Sequence, residues 1–160
     1  KDAGVTYQVV WPVINRPTYS LPAEKKAILW CSAANAPMLR QSLSWQEDQC
    51  QCHPDASSVL SLISSENAKF VAYLAEGNQL DSLHDALCLL QSASQSTSKP
   101  TVFLVTRGTQ QPELDQHNYD ATHAGLWGLA RTARLECPEL TVLCLDLPPD
   151  GLCDTTYVEP

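Results

Sequence analysis

The chain has 160 residues and a mass of 17.6 kDa, which suits one hydrophobic core rather than two. Hydrophobic residues make up 44% and charged residues 18%, and the apolar runs are too short to cross a bilayer, so we expect one globular domain without membrane contact. The formal net charge of -8, with only ten Lys and Arg, argues against a nucleic-acid partner, because such binding depends on cations.

The N-terminal residues and the cysteines bear on localisation. The first residues lack the charged region, apolar stretch and cleavage site of a secretory signal. The seven cysteines are odd in number and scattered, and several lie inside apolar runs. This usage predicts a cytoplasmic chain with reduced, buried thiols rather than a disulfide scaffold.

Five segments have the apolar pattern of β-strands. Residues 5–11 alternate with period two, which predicts a half-buried strand that ends before Pro12. The other four are nearly continuous in apolar residues, as strands covered on both faces are, and comprise residues 27–31, 70–74, 102–106 and 142–147.

Helical periodicity fills the intervals between these strands. Residues 79–91 place one apolar stripe on a helix, made of Leu80, Leu83, Leu87 and Leu90. Shorter helices are predicted within residues 36–46 and 55–65. Alternating strands and helices predict an α/β sandwich with a mainly parallel sheet and right-handed crossovers over residues 1–148. Residues 149–160 are predicted to be a linker or a cut end.

The helix predicted over residues 120–138 has two faces. The stripe expected to face the sheet consists of Leu126, Leu129, Ala130 and Ala133. Trp127, Arg131 and Arg134 lie off this stripe, so Trp127 is expected to be partly exposed. Asp120 is the expected N-cap.

The motifs of common α/β enzymes are absent from the sequence. The six glycines form no G-x-G-x-x-G loop, and no tyrosine has a lysine four residues further on. G-x-S-x-G and H-E-x-x-H are also missing. The "CQCH" group of Cys50, Cys52 and His53 has no second pair at ligand spacing, so a polar loop is preferred to a zinc site. We therefore predict no catalytic, cofactor-binding or metal-binding residue.

The three histidines outside that group are also interpreted without catalysis. His84 is predicted on the solvated face of the leucine-rich helix. His117 and His123 flank the start of the next helix, where capping or surface roles are more common than catalysis.

Four segments in order and spacing resemble one known family: "TYQVVWPVI", "VFLVTRGTQ", "THAGLWGLARTARLECPEL" and "LCLDLP". They resemble the N-terminal structural subdomain of ketoreductase domains in modular polyketide synthases, over about residues 7–148. The resemblance implies a truncated Rossmann-like three-layer sandwich that lacks the nucleotide-binding glycine loop and binds no cofactor. In that family the catalytic half binds NADPH and reduces β-ketoacyl groups on an acyl carrier protein, and the structural half braces it.

The resemblance also implies partners and an interface. The expected partners are the catalytic subdomain, neighbouring synthase domains and the acyl carrier protein. Contact residues are expected to be Arg107, Trp127, Arg131 and Arg134. The alternative is that the arginines lie in water or pair with Glu136 and Asp146.

Two other functions stay open at this point. The chain could be a degenerate, ketoreductase-derived docking or dimerisation module in a megasynthase. It could also be a small free-standing enzyme whose site the sequence does not reveal.

Overall fold

The structure is a computed structural model that describes residues 27–65, 68–110 and 120–148, and the backbone of residues 157–159. The strand predicted over residues 5–11 and the prediction for His117 lie outside these residues. The elements are β1 (Ala27–Trp30), α1 (Ala36–Leu43), β2 (Cys50–His53), α2 (Ala56–Ser65), β3 (Phe70–Leu74), α3 (Gln79–Gln95), β4 (Thr101–Arg107), α4 (Gly125–Glu136), β5 (Val142–Leu147) and β6 (Tyr157–Glu159). The four apolar runs predicted as buried strands are confirmed as β1, β3, β4 and β5.

The strands form one sheet in the order β2-β1-β3-β4-β5-β6. The first five strands are parallel, and β6 pairs antiparallel with β5. The predicted Rossmann-like α/β class is therefore confirmed. Residues 157–159, within the segment predicted to be a linker or a cut end, pair through their backbone with β5 at the edge of the sheet.

The "CQCH" segment is strand β2 and not the polar loop that the sequence predicts. Its four residues pair in parallel with β1, so Cys50 lies beside Ala27 and His53 beside Trp30. Cys50 is buried, whereas Gln51 is exposed. An edge strand with one covered face explains this alternation of apolar and polar residues.

Helices cover the two faces of the sheet unequally. α1 packs on one face through Leu39 and Leu43, where Trp45 meets Phe103 edge-on with ring centroids 5.7 Å apart. α2, α3 and α4 pack on the other face. The parallel strands bury their side chains on both faces, which explains their continuous apolar runs.

Leu90 is buried and Leu83 packs against the core as predicted, so the sequence identifies part of the inner face of α3. Its buried face consists of Ser82, Ala86, Leu89, Leu90 and Ala93. Leu80 is 77% exposed and Leu87 is 43% exposed, although both belong to the predicted stripe. Small side chains let this helix lie close to the strands, so a stripe defined by leucines alone misses part of the buried face.

The stripe predicted for α4 lies on the core side of the helix, and Trp127 joins it there. Leu126, Trp127 and Ala130 are buried, while Leu129 and Ala133 are only partly buried. α4 packs beside α3, where a Cβ on Gly125 would lie 3.4 Å from a methyl group of Leu83. No helix within the described ranges is long and apolar enough to span a membrane.

Candidate functional site at the carboxyl edge of the sheet

The order of the strands reverses between β1 and β3, because β2 lies on one side of β1 and all later strands lie on the other. α1, which follows β1, covers one face, whereas α3, which follows β3, covers the other. In open α/β sheets, ligands bind at such a switch point, in the crevice outside the carboxyl ends of the strands. We refer to the space between residues 31–35 and residues 75–78 as the switch-point crevice.

A carboxylate of the chain itself lies in this crevice. The backbone N–H of Ser32 donates to Glu76 Oε2 at 3.1 Å, and the Ser32 hydroxyl donates to Glu76 Oε1 at 3.0 Å. The side-chain amide of Asn35 also donates to Glu76 Oε1. Both carboxylate oxygens are thus bound by donors from the loop after β1.

Arg107 connects the end of β4 to the same cluster. Its Nη2 donates to Asn35 Oδ1 at 2.6 Å, which orients the Asn35 amide with its N–H groups toward Glu76. Among the residues with described positions, Arg107 Nε is buried without a hydrogen-bond partner. Arg107 therefore links the end of β4 to the loop after β1, which Glu76 in turn links to the end of β3. The sequence did not reveal this role.

A second polar cluster joins the ends of β4 and β5. Asp146 is 2% exposed, and its Oδ1 accepts hydrogen bonds from the Thr106 hydroxyl at 2.6 Å and from the Thr109 backbone at 3.1 Å. Thr109 Oγ1 lies 3.0 Å from the same oxygen, and Gln110 N–H donates to Oδ2 at 2.8 Å. These bonds satisfy a buried charge and fix the chain where it leaves β4.

The expectation of a partly exposed Trp127 is wrong. Trp127 is 4% exposed and packs in the core under α4, where its indole Nε1 donates to Thr106 Oγ1 at 3.1 Å. A large ring gains more from burial than the smaller Leu129, and its N–H group finds a partner on β4. Trp127 is therefore a core residue and not a surface anchor.

The other two residues of the predicted α4 interface differ in their surroundings. Arg131 is exposed, whereas Arg134 is partly buried and its Nε donates to the Val142 carbonyl at 2.8 Å. Arg134 thus ties α4 to the start of β5. Contact of Arg107, Arg131 and Arg134 with a partner stays a prediction.

The buried Cys31 thiol at this edge has little nucleophilic character. Cys31 Sγ lies 3.7 Å from Cys52 Sγ, and burial together with this neighbouring thiol strongly raises the pKa of Cys31. No group of three or more His, Cys, Asp or Glu side chains in the described part of the chain is placed to hold a metal ion.

His84, near Cys88, is exposed as predicted.

Tyr73 lies near the end of β3, shortly before the crevice residues 75–78. It packs edge-on against Trp30 with ring centroids 4.9 Å apart. Burial raises the pKa of Tyr73 to about 12. A tyrosine that acts as a general acid near neutral pH needs a pKa closer to the working pH, so this environment does not favour catalysis.

Comparison with known protein families assigns the chain to one of them. Residues 10–156 match the family described as "Polyketide synthase extender module SpnB, Rossmann fold domain". The chain belongs to this family. The resemblance to modular polyketide synthases noted from the sequence is therefore confirmed.

The fold is also similar to a solved structure titled "The Structure of a C2-type Ketoreductase from a Modular Polyketide Synthase". The TM-score is 0.61 at 19% sequence identity, and the match covers 84% of this chain and 34% of the ketoreductase chain. The chain thus spans about a third of that relative's length. A search of curated proteins gave no match.

Proposed function

We propose that this chain is the non-catalytic structural subdomain of a polyketide synthase ketoreductase and that it braces the NADPH-binding catalytic half. That half reduces β-ketoacyl groups on an acyl carrier protein, and it is the direct partner of this chain. The carrier protein and neighbouring synthase domains are further partners of the assembled enzyme. The proposal is supported by family membership and by a fold match to one third of a ketoreductase.

The non-catalytic part of the proposal rests on the residues that line and occupy the switch-point crevice. Between β1 and α1 the chain reads Cys-Ser-Ala-Ala-Asn, and it lacks the glycines that let a backbone approach a pyrophosphate. Glu76 presents a negative charge in the same crevice. A cofactor phosphate would therefore meet both a filled space and like charge.

Exposed leucines on α3 and α4 supply a surface for the bracing contact. Leu80 and Leu87 lie seven residues apart on α3, so they share one side of that helix, and Leu135 on α4 is 84% exposed. Burial of such side chains against a partner favours association, and the freedom lost on binding offsets part of this gain. We assign these leucines, together with Arg131, to the contact with the catalytic half.

The test combines this chain with a separately produced catalytic half from the same synthase. NADPH oxidation is followed with a model ketone, and thermal unfolding of the catalytic half is followed with and without this chain. We expect no ketone reduction by this chain alone, and greater stability or activity of the catalytic half in its presence. Reduction by this chain alone, or no effect on the other half, contradicts the proposal.

The second candidate function is a docking or dimerisation module in a megasynthase. The exposed leucines favour it as well, because a copy of the same chain could cover them. The encoded sequence after residue 160 separates the two functions. A G-x-G-x-x-G loop followed by a Y-x-x-x-K pair within the next few hundred residues supports the brace, and their absence supports the module.

A further inference from the structure

The Glu76 carboxylate has the surroundings of a bound anion. Its two oxygens accept hydrogen bonds from the Ser32 backbone, the Ser32 hydroxyl and the Asn35 amide. All three donors belong to the loop after the first described strand, which in nucleotide-binding sheets of this class holds the ligand's phosphate. The carboxylate resembles a phosphate in presenting negatively charged acceptor oxygens.

We propose that Glu76 is an internal ligand of the switch-point crevice, which excludes phosphate-bearing molecules by occupying the position of their anionic group. This inference rests on the proposed function and names the residue that keeps the chain free of cofactor. Without the Glu76 side chain, the crevice retains a backbone N–H, a hydroxyl and an amide as donors. The positive charge of Arg107 beside these donors is then no longer balanced by the Glu76 carboxylate.

Arg107 is important to this inference because it supplies positive charge. Its Nη2 contacts Asn35 Oδ1, so the cation lies one side chain away from the Glu76 carboxylate. A cation beside several converging donors is the common arrangement of phosphate sites in proteins. The crevice thus has the donors of an anion site, and Glu76 supplies the anion.

A purely structural role of Glu76 gives a different expectation. If the carboxylate only connects the loops after β1 and β3, its removal lowers stability and leaves the chain unable to bind phosphate. If the carboxylate is an internal ligand, its removal creates affinity for a free anion. A gain of binding in a variant distinguishes the two roles.

The experiment titrates inorganic phosphate into the 160-residue chain and follows backbone amide shifts by ¹H–¹⁵N NMR. We expect Glu76→Ala to bind phosphate roughly tenfold or more tightly than the unmodified chain, with shifts at Ser32 and Asn35. Glu136→Ala is the matched control, because it removes the same charge from an exposed position on α4 and should leave binding unchanged. Adding Arg107→Gln to Glu76→Ala should abolish the gain.

A folded Glu76→Ala chain that binds phosphate no more tightly than the control overturns the inference. Shifts away from the crevice, which indicate an adventitious ion only, overturn it as well. If Glu76→Ala does not fold, Glu76→Gln decides, because it keeps an oxygen for Ser32 and removes the charge. We expect a smaller gain in phosphate affinity there, and no gain overturns the inference. Cofactor binding by the unmodified chain would instead contradict the proposed function.

Discussion

The indole N–H of Trp127 on α4 donates a hydrogen bond to the hydroxyl of Thr106 on β4, with 3.1 Å between Nε1 and Oγ1. The same hydroxyl donates to the carboxylate of Asp146 on β5 at 2.6 Å. One helix and two neighbouring strands are therefore connected by a buried series of hydrogen bonds. These hydrogen bonds fix the orientation of α4 on the sheet.

Truncation of Trp127 is expected to destabilise the fold more than truncation of Leu129. Trp127→Ala removes a buried ring and its hydrogen bond and should lower the free energy of unfolding by about 3–5 kcal/mol. Leu129 is only partly buried, so Leu129→Ala should cost less than about 2 kcal/mol. Urea denaturation of both variants measures the two costs, and the reverse order contradicts the placement of α4. Trp127→Phe, which keeps most of the ring, is the control for the hydrogen bond.

Neutralising Asp146 should be costly even though the change to asparagine is nearly isosteric. The substitution Asp146→Asn would present an N–H₂ group to donors that now meet a carboxylate oxygen, such as Gln110 N–H at 2.8 Å. Because bonds to a charged acceptor are strong and a buried unpaired donor is unfavourable, we expect this variant to lower the free energy of unfolding by about 2–4 kcal/mol. An unchanged urea midpoint would contradict a stabilising role for this cluster.

Asp55, which precedes α2, gives a pH-dependent contribution to stability. The backbone N–H of Ser58 and the hydroxyl of Ser57 donate to its carboxylate and lower the pKa of Asp55 to about 2. An unfolded Asp has a pKa of about 3.9, so the stabilisation is full above that value and is lost as the pH falls through about 2. Asp55→Ala should lower the urea midpoint near neutral pH. The difference from the unmodified chain should shrink toward about pH 2, and a constant difference would contradict this cause.

Leu135 and Arg131 test the surface assigned to the partner. Leu135 is 84% exposed, so Leu135→Gln should change the stability of the isolated chain by no more than about 0.5 kcal/mol. In the complex with the catalytic half, Leu135→Gln and Arg131→Ala should each weaken association by about 1 kcal/mol or more. Titration calorimetry with the catalytic half measures this effect. Ser61→Gln, at an exposed position of α2, is the control. If Ser61→Gln weakens association as much as Leu135→Gln does, the assignment of the surface is refuted.

The order of strands and helices was predictable from the sequence, because buried parallel strands leave continuous apolar runs. The edge strand β2 was not, since only four residues form it and their alternation of Cys with Gln and His resembles a polar loop. Part of the inner face of α3 and the burial of Trp127 on α4 were also missed. Ser82 and Ala86 face the sheet on α3, and the position of Trp127 depends on a hydroxyl of β4.

The crevice cluster has no local signal in the sequence. Glu76 lies 44 residues from Ser32, and Arg107 lies 72 residues from Asn35. Only the strand order brings the ends of β1, β3 and β4 together. The absence of a glycine-rich loop was readable from the sequence, but the carboxylate in the crevice became visible only in the folded chain.

If this chain is a structural half without a cofactor site of its own, it does not bind NADPH, and titration with the cofactor measures this. Quenching of tryptophan fluorescence is followed while NADPH is added to the 160-residue chain, with free tryptophan as the control for light absorption by the cofactor. We expect no saturable binding up to roughly millimolar NADPH. Saturable binding in the micromolar range would contradict this expectation.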